Sequence, residues 1–236
     1  MICDNKMDKD YWIKFWKKHS KNLEEWDSQS QVLRTLNKKP IEKKNWELTL
    51  LHITQNLNIQ SSDIILDLVC GNGLISEYLS KKCKSVIAVD ISQELINKIN
   101  IKDHKNIKPI VKDIRKIEFQ KNSFSKIIIY AGIQYLNYKE TINLFTSLYR
   151  WLKFEGIFFI GDIPDLDRLW YFFNNKEREK IFFSSIQNDT PIIGTWFTKK
   201  FLLKLAKYIG FNEAKIINQP EYMINSHYRY DMYIKK

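Results

Sequence analysis

The chain predicts an α/β fold on a mainly parallel sheet, from three observations. The apolar run Ile64-Ile65-Leu66 enters Asp67-Leu68-Val69-Cys70-Gly71-Asn72-Gly73, and a helix is expected at once, from Leu74 to about Lys81. A second strand, Ser85-Val86-Ile87-Ala88-Val89, ends in Asp90. Further apolar runs then alternate with helical patterns, which is the signature of β-α-β units.

The first unit is a nucleotide-binding β-turn-α-β-acid motif. Glycines let a backbone approach a ligand closely, and a helix N-terminus offers free N–H groups. An acid at the tip of the second strand can accept both hydroxyls of a ribose. As a dinucleotide fingerprint, Gly71-x-Gly73-x-x-Ser76 is poor, because the third glycine is a serine and polar Asp67 closes the first strand.

The elements around it follow in order. Trp12, Phe15, Trp16 and His19 share one helical face within residues 8–26, which also hold Tyr11, Leu23 and Trp26. Residues 27–45 are mostly polar and include Arg34, a candidate for bidentate binding of a carboxylate or phosphate. Trp46 to Asn56 reads as an amphipathic helix leading into the first strand. Ser92 caps a helix to Ile99, Ile107 to Lys112 is a third strand ending in Asp113-Ile114, and Lys139 to Leu152 is another helix. Residues 163–197 do not read as a core element. They contain Trp170-Tyr171-Phe172-Phe173, a charged helical piece from Lys176 to Lys180, and Pro191 to Trp196. A late helix spans Phe201 to Ile209, and Tyr230 to Lys236 suits a final antiparallel strand.

On these motifs the chain resembles the class I S-adenosylmethionine (SAM)-dependent methyltransferases, in particular the small-molecule group of type 11 and type 25 domains. Asp67-Leu68-Val69-Cys70-Gly71-Asn72-Gly73 follows the family's acid-x-Gly-x-Gly-x-Gly motif, with Val69 in place of the first glycine. A β-branched residue there disfavours positive φ and adds bulk near the methionine moiety. Phe124 to Leu136 resembles the fourth strand and its turn, with Ser125 for the usual aspartate and Gln134-Tyr135 for a frequent histidine pair. Trp151 to Ile160 resembles the entry into the fifth strand, with Phe154 and Glu155 for a proline and a glycine. The likeness runs over roughly residues 45 to 236.

The resemblance implies a Rossmann-like, doubly wound, seven-stranded sheet, parallel but for the last strand, with helices on both faces. Residues 46–236 would form the SAM-binding domain, with a substrate-side insertion at about 163–197, and residues 1–45 a helical lid or approach segment. Asp67, Val69, Gly71, Asn72 and Gly73 would lie near the methionine end of the cofactor. Asp90 would take the ribose, Ile91, Asp113 and Ile114 the adenine, and Tyr130 would lie close to the sulfonium. Gln134, Tyr135 and Asp162 are the catalytic candidates, and Arg34, Tyr135, Trp170 and Trp196 the substrate-binding ones. His227, beside Tyr228-Arg229-Tyr230, is a weaker candidate.

Composition narrows the partners. Three cysteines without paired spacing (Cys3, Cys70, Cys83) fit a reducing cytoplasm and no zinc site, and the four histidines are dispersed, so no metal is expected. Neither a membrane span nor a signal peptide is read in the chain. The net charge of +11 invites a nucleic-acid reading. The lysines are scattered, arginine is sparse, and no base-amine motif follows the fourth strand, which speaks against nucleic acid. The expectation is therefore a cytoplasmic methyltransferase, monomer or homodimer, that moves a methyl group from SAM to oxygen or nitrogen of a small molecule and releases S-adenosylhomocysteine (SAH). The alternatives are an RNA or protein methyltransferase and a catalytically silent scaffold of the same fold.

Overall fold

The computed structural model describes residues 10–36, 38–190 and 192–236. Cys3 and Pro191, named above, lie outside them. Besides a short antiparallel pair, Thr35–Leu36 with Lys39–Pro40, the main sheet has β1 (Ile64–Leu68), β2 (Ser85–Asp90), β3 (Ile107–Val111), β4 (Phe124–Tyr130), β5 (Leu152–Pro164), β6 (Glu213–Asn218) and β7 (Arg229–Lys235). They form one sheet in the order β3-β2-β1-β4-β5-β7-β6. The pairs among β1 to β5 are parallel, and β7 runs antiparallel to both β5 and β6. This is the Rossmann-like doubly wound sheet expected, with β7 inserted between β5 and β6. Strand β6 had no separate reading, because Glu213-Ala214-Lys215-Ile216-Ile217-Asn218 is half exposed at a sheet edge and its apolar pattern is weak.

The helices are α1 (Tyr11–His19), α2 (Ser28–Gln31), α3 (Lys43–Leu57), α4 (Leu74–Ser80), α5 (Gln93–Ile96), α6 (Tyr138–Trp151), α7 (Leu169–Phe172), α8 (Lys176–Gln187) and α9 (Lys199–Ile209). Local signals set their ends. Asn137 and Glu140 make a reciprocal capping box on α6, Thr198 caps α9, and Gly210 ends α9 in the left-handed region. Leu144, Phe145, Leu148 and Trp151 of α6 recur at helical spacing and bury one face against β4 and β5. Ile53 and Leu57 of α3 and Leu79 of α4 fill the other face with Ile65, Ile128 and Phe159. Two apolar layers therefore sandwich the sheet, and the strand ends of β1, β2, β4 and β5 open together on one side. No helix among the described residues is long and apolar enough to cross a membrane.

One packing detail prepares the site. Gly161 of β5 stands opposite Tyr130 of β4 in parallel register. A methyl group at 161 would run into the Tyr130 ring and come within 3.0 Å of Phe159. Gly161→Ala is expected to lower stability by about 1–3 kcal/mol. Urea unfolding should show this as a lower midpoint with an unchanged slope.

Candidate active site

Three non-glycine residues at these strand ends hold the left-handed backbone: Val69 after β1 (φ 61°), Ala131 after β4 (φ 52°) and Asp162 in β5 (φ 61°). Such strain persists only where surrounding structure fixes it, and it clusters at sites. For Val69 the compensation is visible. A Cβ on Gly132 would lie 2.8 Å from the Val69 Cβ, so the absence of a side chain at 132 gives the valine room. The loop thus tolerates the substitution that the motif made conspicuous. Asp162 sits where the β5–β7 register shifts between Ile160 and Ile163, a bulge that re-aims a side chain.

A cavity of about 280 Å³ runs across the strand ends. That approaches the ~300–1,000 Å³ of small-molecule sites. At one end Ile91, Leu95 and Ile114 line an apolar slot beside Asp113. Next come Asp90 and then Asp67, Val69, Cys70 and Gly71. The far end holds Arg34, Tyr130, Gln134, Tyr135, Asp162 and Arg229. An apolar slot, an acid at a strand tip and a glycine loop, met in that order, fit a nucleoside carrying an amino-acid tail.

The acids differ in what holds them. Asp90 accepts from the Gly71 N–H and the Ser92 N–H, both at 2.9 Å, and burial pushes its carboxyl up. Asp67 accepts from Ser76 Oγ at 2.6 Å, and its burial, with Asp90 nearby, pushes it to about 7. Asp113 is forked by Arg115 through Nε (3.0 Å) and Nη2 (2.7 Å). Burial pulls Asp113 upward, but the hydrogen bonds and charge of Arg115 hold it below its ordinary value. Arg115 was not anticipated, and an arginine two residues after a strand-tip acid was the available signal. Cys70 is no nucleophile here, because burial and the neighbouring Asp67 and Asp90 push its thiol well up.

The far end is an ion network. Arg34 Nη1 donates to Asp162 Oδ2 at 2.7 Å, and its guanidinium lies 4.5 Å from the centre of the Tyr130 ring. Arg229 Nη1 donates to the Asp162 carbonyl at 2.6 Å and reaches its Oδ2 at 3.3 Å. Burial alone would raise Asp162, yet Arg229 and Arg34 outweigh it and keep the carboxyl below its ordinary value. Asp162 is therefore an ionised, clamped group suited to orienting rather than to taking a proton. Tyr135 packs against Trp12 (centroids 4.8 Å) and Trp16 (5.8 Å), and burial pushes its phenol to about 12, so it stays protonated. Gln134 donates to the Ala131 carbonyl at 2.8 Å, while its Oε1 is buried without a partner among the described residues.

The N-terminal segment covers the cavity. Trp12, Phe15 and Trp16 of α1 line it, and Val32 fills the space that a Gly71 side chain would need. Asn72, which also borders the cavity, spends its amide donors on Ser28 O (2.8 Å) and Gln31 Oε1 (2.9 Å), tying the glycine loop to α2. Several expected contacts fall elsewhere. Gly73 does not line the cavity, and its open side is filled by Ile99. Trp170 is 53% exposed beside Phe182 and Phe183 on α8, and Trp196 packs with Phe172, Phe173 and Tyr228. From the 163–197 insertion, Ile192 and Ile193 line the wall instead. His227 also stands outside the lining, edge-on to the Tyr228 ring. Arg229 and Asn225, which do line it, had no sequence signal beyond their place before and in the last strand.

Comparison with known proteins agrees with this geometry. Residues 65–156 match the family model described as a methyltransferase domain. An rRNA adenine N-6-methyltransferase of Limosilactobacillus reuteri is 31% identical over 127 residues, 51% of this chain and 48% of that protein. A malonyl-[acyl-carrier protein] O-methyltransferase of Bacillus cereus is 26% identical over 70% of this chain and 61% of its own length. The chain thus spans about half the length of these curated relatives. Among solved structures, phosphoethanolamine N-methyltransferase 1 of Haemonchus contortus, in complex with phosphoethanolamine and SAH, superposes with a TM-score of 0.70 at 17% identity. That match covers all of this chain and 51% of the other. Residues 65–156 thus resemble a methyltransferase domain, carried on a sheet of Rossmann-like fold.

The Asp67 environment gives a pH dependence. Its unfolded value is 3.8 and its folded value about 7, so between them the folded chain keeps a proton that the unfolded chain has released. This group's contribution to the stability of the cofactor-free protein is full below the lower value and is lost as pH rises through the higher. Asp67→Asn should flatten the fall in denaturant stability over that window relative to wild type. An identical slope in both proteins would contradict the assignment.

Proposed function

We propose that this protein transfers a methyl group from SAM to an oxygen or nitrogen of a small molecule. The observation that carries the reading is the continuity of one roofed cavity from the acids at the strand tips to the polar group at Gln134, Tyr135 and Asp162. SAM, when bound, supplies a methyl group on a positively charged sulfur. Asp90 would accept the ribose hydroxyls, Ile91 and Ile114 would flank the adenine with Asp113 at its edge, and Asp67, Val69 and Gly71 would meet the methionine end. Residues 1–45 act as the lid in this reading, residues 46–236 as the catalytic domain.

The protein's own work is positioning and exclusion of water, which supply much of the acceleration of an in-line displacement. The unpartnered Gln134 Oε1 is an acceptor for an O–H or N–H of the methyl acceptor. Tyr135 offers a hydrogen-bond donor and, with Trp12 and Trp16, an apolar roof. Thr195 N–H donates to the Gln134 carbonyl at 2.8 Å, so the segment from Ile192 to Thr195 shapes the acceptor end. Free thiols at Cys70 and Cys83 are compatible with a cytoplasmic setting.

A second reading, methylation of RNA, is favoured by the name of the rRNA-modifying relative. The roof over the cavity weighs against it, since a nucleotide within a chain needs an open approach. RNA binding that weakens steeply with added salt would restore it.

The test is calorimetric titration of the purified chain with SAM and SAH, alongside Asp90→Ala. Micromolar binding is expected, weakened at least ~10-fold in the variant by loss of charge-assisted hydrogen bonds. A thermal melt of the variant checks that the Gly71 loop, which Asp90 also holds, remains folded. Absence of binding to folded wild-type protein would overturn the proposal and leave the silent scaffold.

A further inference from the structure

Two buried guanidiniums, Arg34 and Arg229, line the far end of the cavity, and this deepens the methyltransferase reading on which it rests. Arg34 and Arg229 share a single carboxylate, Asp162, with side chains 12% and 8% exposed. The next carboxylate, Asp231, is engaged on its own side. Its Oδ1 accepts from the Asp162 N–H (2.8 Å) and Gln219 Nε2 (2.7 Å), and its Oδ2 lies 2.8 Å from His52 Nε2. Tyr130 and Tyr135 bring no charge, since burial pushes both phenols up.

Arg229 Nε is buried without a partner among the described residues. Asn225, whose Nδ2 lies 3.4 Å from Asp162 Oδ2, adds an amide to the same wall. A buried guanidinium with an unmade hydrogen bond is costly, and its planar fork matches the oxygens of a carboxylate or a phosphorus acid. Within the cavity Asp162 itself satisfies only part of the two forks.

We propose that the methyl acceptor carries an oxyanion, as carboxylate, phosphate or phosphonate, that docks on Arg34 and Arg229 with Asp162 fixing the set of the two guanidiniums. The anion anchors the acceptor and takes hydrogen bonds that the two guanidiniums do not spend on Asp162. Neutral analogues of the same shape offer weaker acceptors and bind less tightly.

The experiment uses the full chain saturated with SAH and follows Trp fluorescence, since Trp12 and Trp16 border the cavity. Acetate, inorganic phosphate and methylphosphonate are titrated at constant ionic strength, with acetamide as the neutral control. At least one oxyanion should bind where acetamide does not, and the preferred one separates carboxylate from phosphorus acids. Arg34→Gln and Arg229→Gln should each weaken that binding ~10–100-fold, the range of a charged hydrogen bond, with SAH affinity retained. If Arg229→Gln unfolds, Arg34→Gln and the wild-type comparison of anion with amide decide. SAH binding with no preference for oxyanions over acetamide, or full oxyanion binding by folded Arg34→Gln, overturns the anion site alone. Failure of SAH to bind overturns the methyltransferase reading beneath it.

Discussion

The buried carboxylate of Asp162 is the junction on which one end of the cavity depends. It joins β5 to Arg34 of the N-terminal segment, 128 residues away, and to Arg229 of β7, 67 residues away. Gln219 and Asn225, from the connection before β7, reach the same carboxylate. Removing one partner of such a buried pair strands the other charge, at a cost of about 3–5 kcal/mol. The network therefore specifies where the N-terminal segment lies over the sheet more than it adds net stability. Its second carboxylate, Asp231, carries the linkage onward to His52 of α3.

That junction exists because the backbone is bent locally. Strand β5 would turn alternate side chains into the two apolar layers, and the bulge at Asp162 breaks the alternation at the mouth of the cavity. The positive φ values of Val69, Ala131 and Asp162 place strain at the ends of three neighbouring strands, β1, β4 and β5. Small residues absorb the crowding: Gly132 beside Val69, Gly161 beside Tyr130, and Gly194 against the Gln134 carbonyl. Precision at the site is thus carried by the rigid sheet, while the covering N-terminal segment is tied on by the Arg34–Asp162 pair and by the two hydrogen bonds of Asn72.

The two ends of the cavity play different parts. The end with Asp90, Asp113 and the apolar slot is built from consecutive β-α units that the matched domain, residues 65–156, contains in full. The other end draws on residues outside that domain: Arg34 before it, and Asp162, Asn225 and Arg229 after it. Relatives named for an rRNA adenine, a malonyl carrier protein and phosphoethanolamine differ in acceptor, and a fold-level likeness carries no information on that choice.

Read alone, the sequence determined the sheet, its acid-tipped strands and the covering aromatic helix. Those features are written in short-range patterns: apolar runs, a glycine turn, an N-cap and a spacing of three and four residues. It also drew attention to Val69, Gln134, Tyr135 and Arg34, because each departs from its surroundings or from the family's pattern. Only the tertiary structure decided that Gly132 gives Val69 its room, that Arg115 holds Asp113, and that Asn72 faces the N-terminal segment. It likewise moved Trp170 and Trp196 out of the site and brought Arg229 and Asn225 in. The reason is physical. Periodicity reports which face of an element is buried, whereas the pairing of charges across 67 or 128 residues depends on a bulge and a strand order that no local pattern encodes.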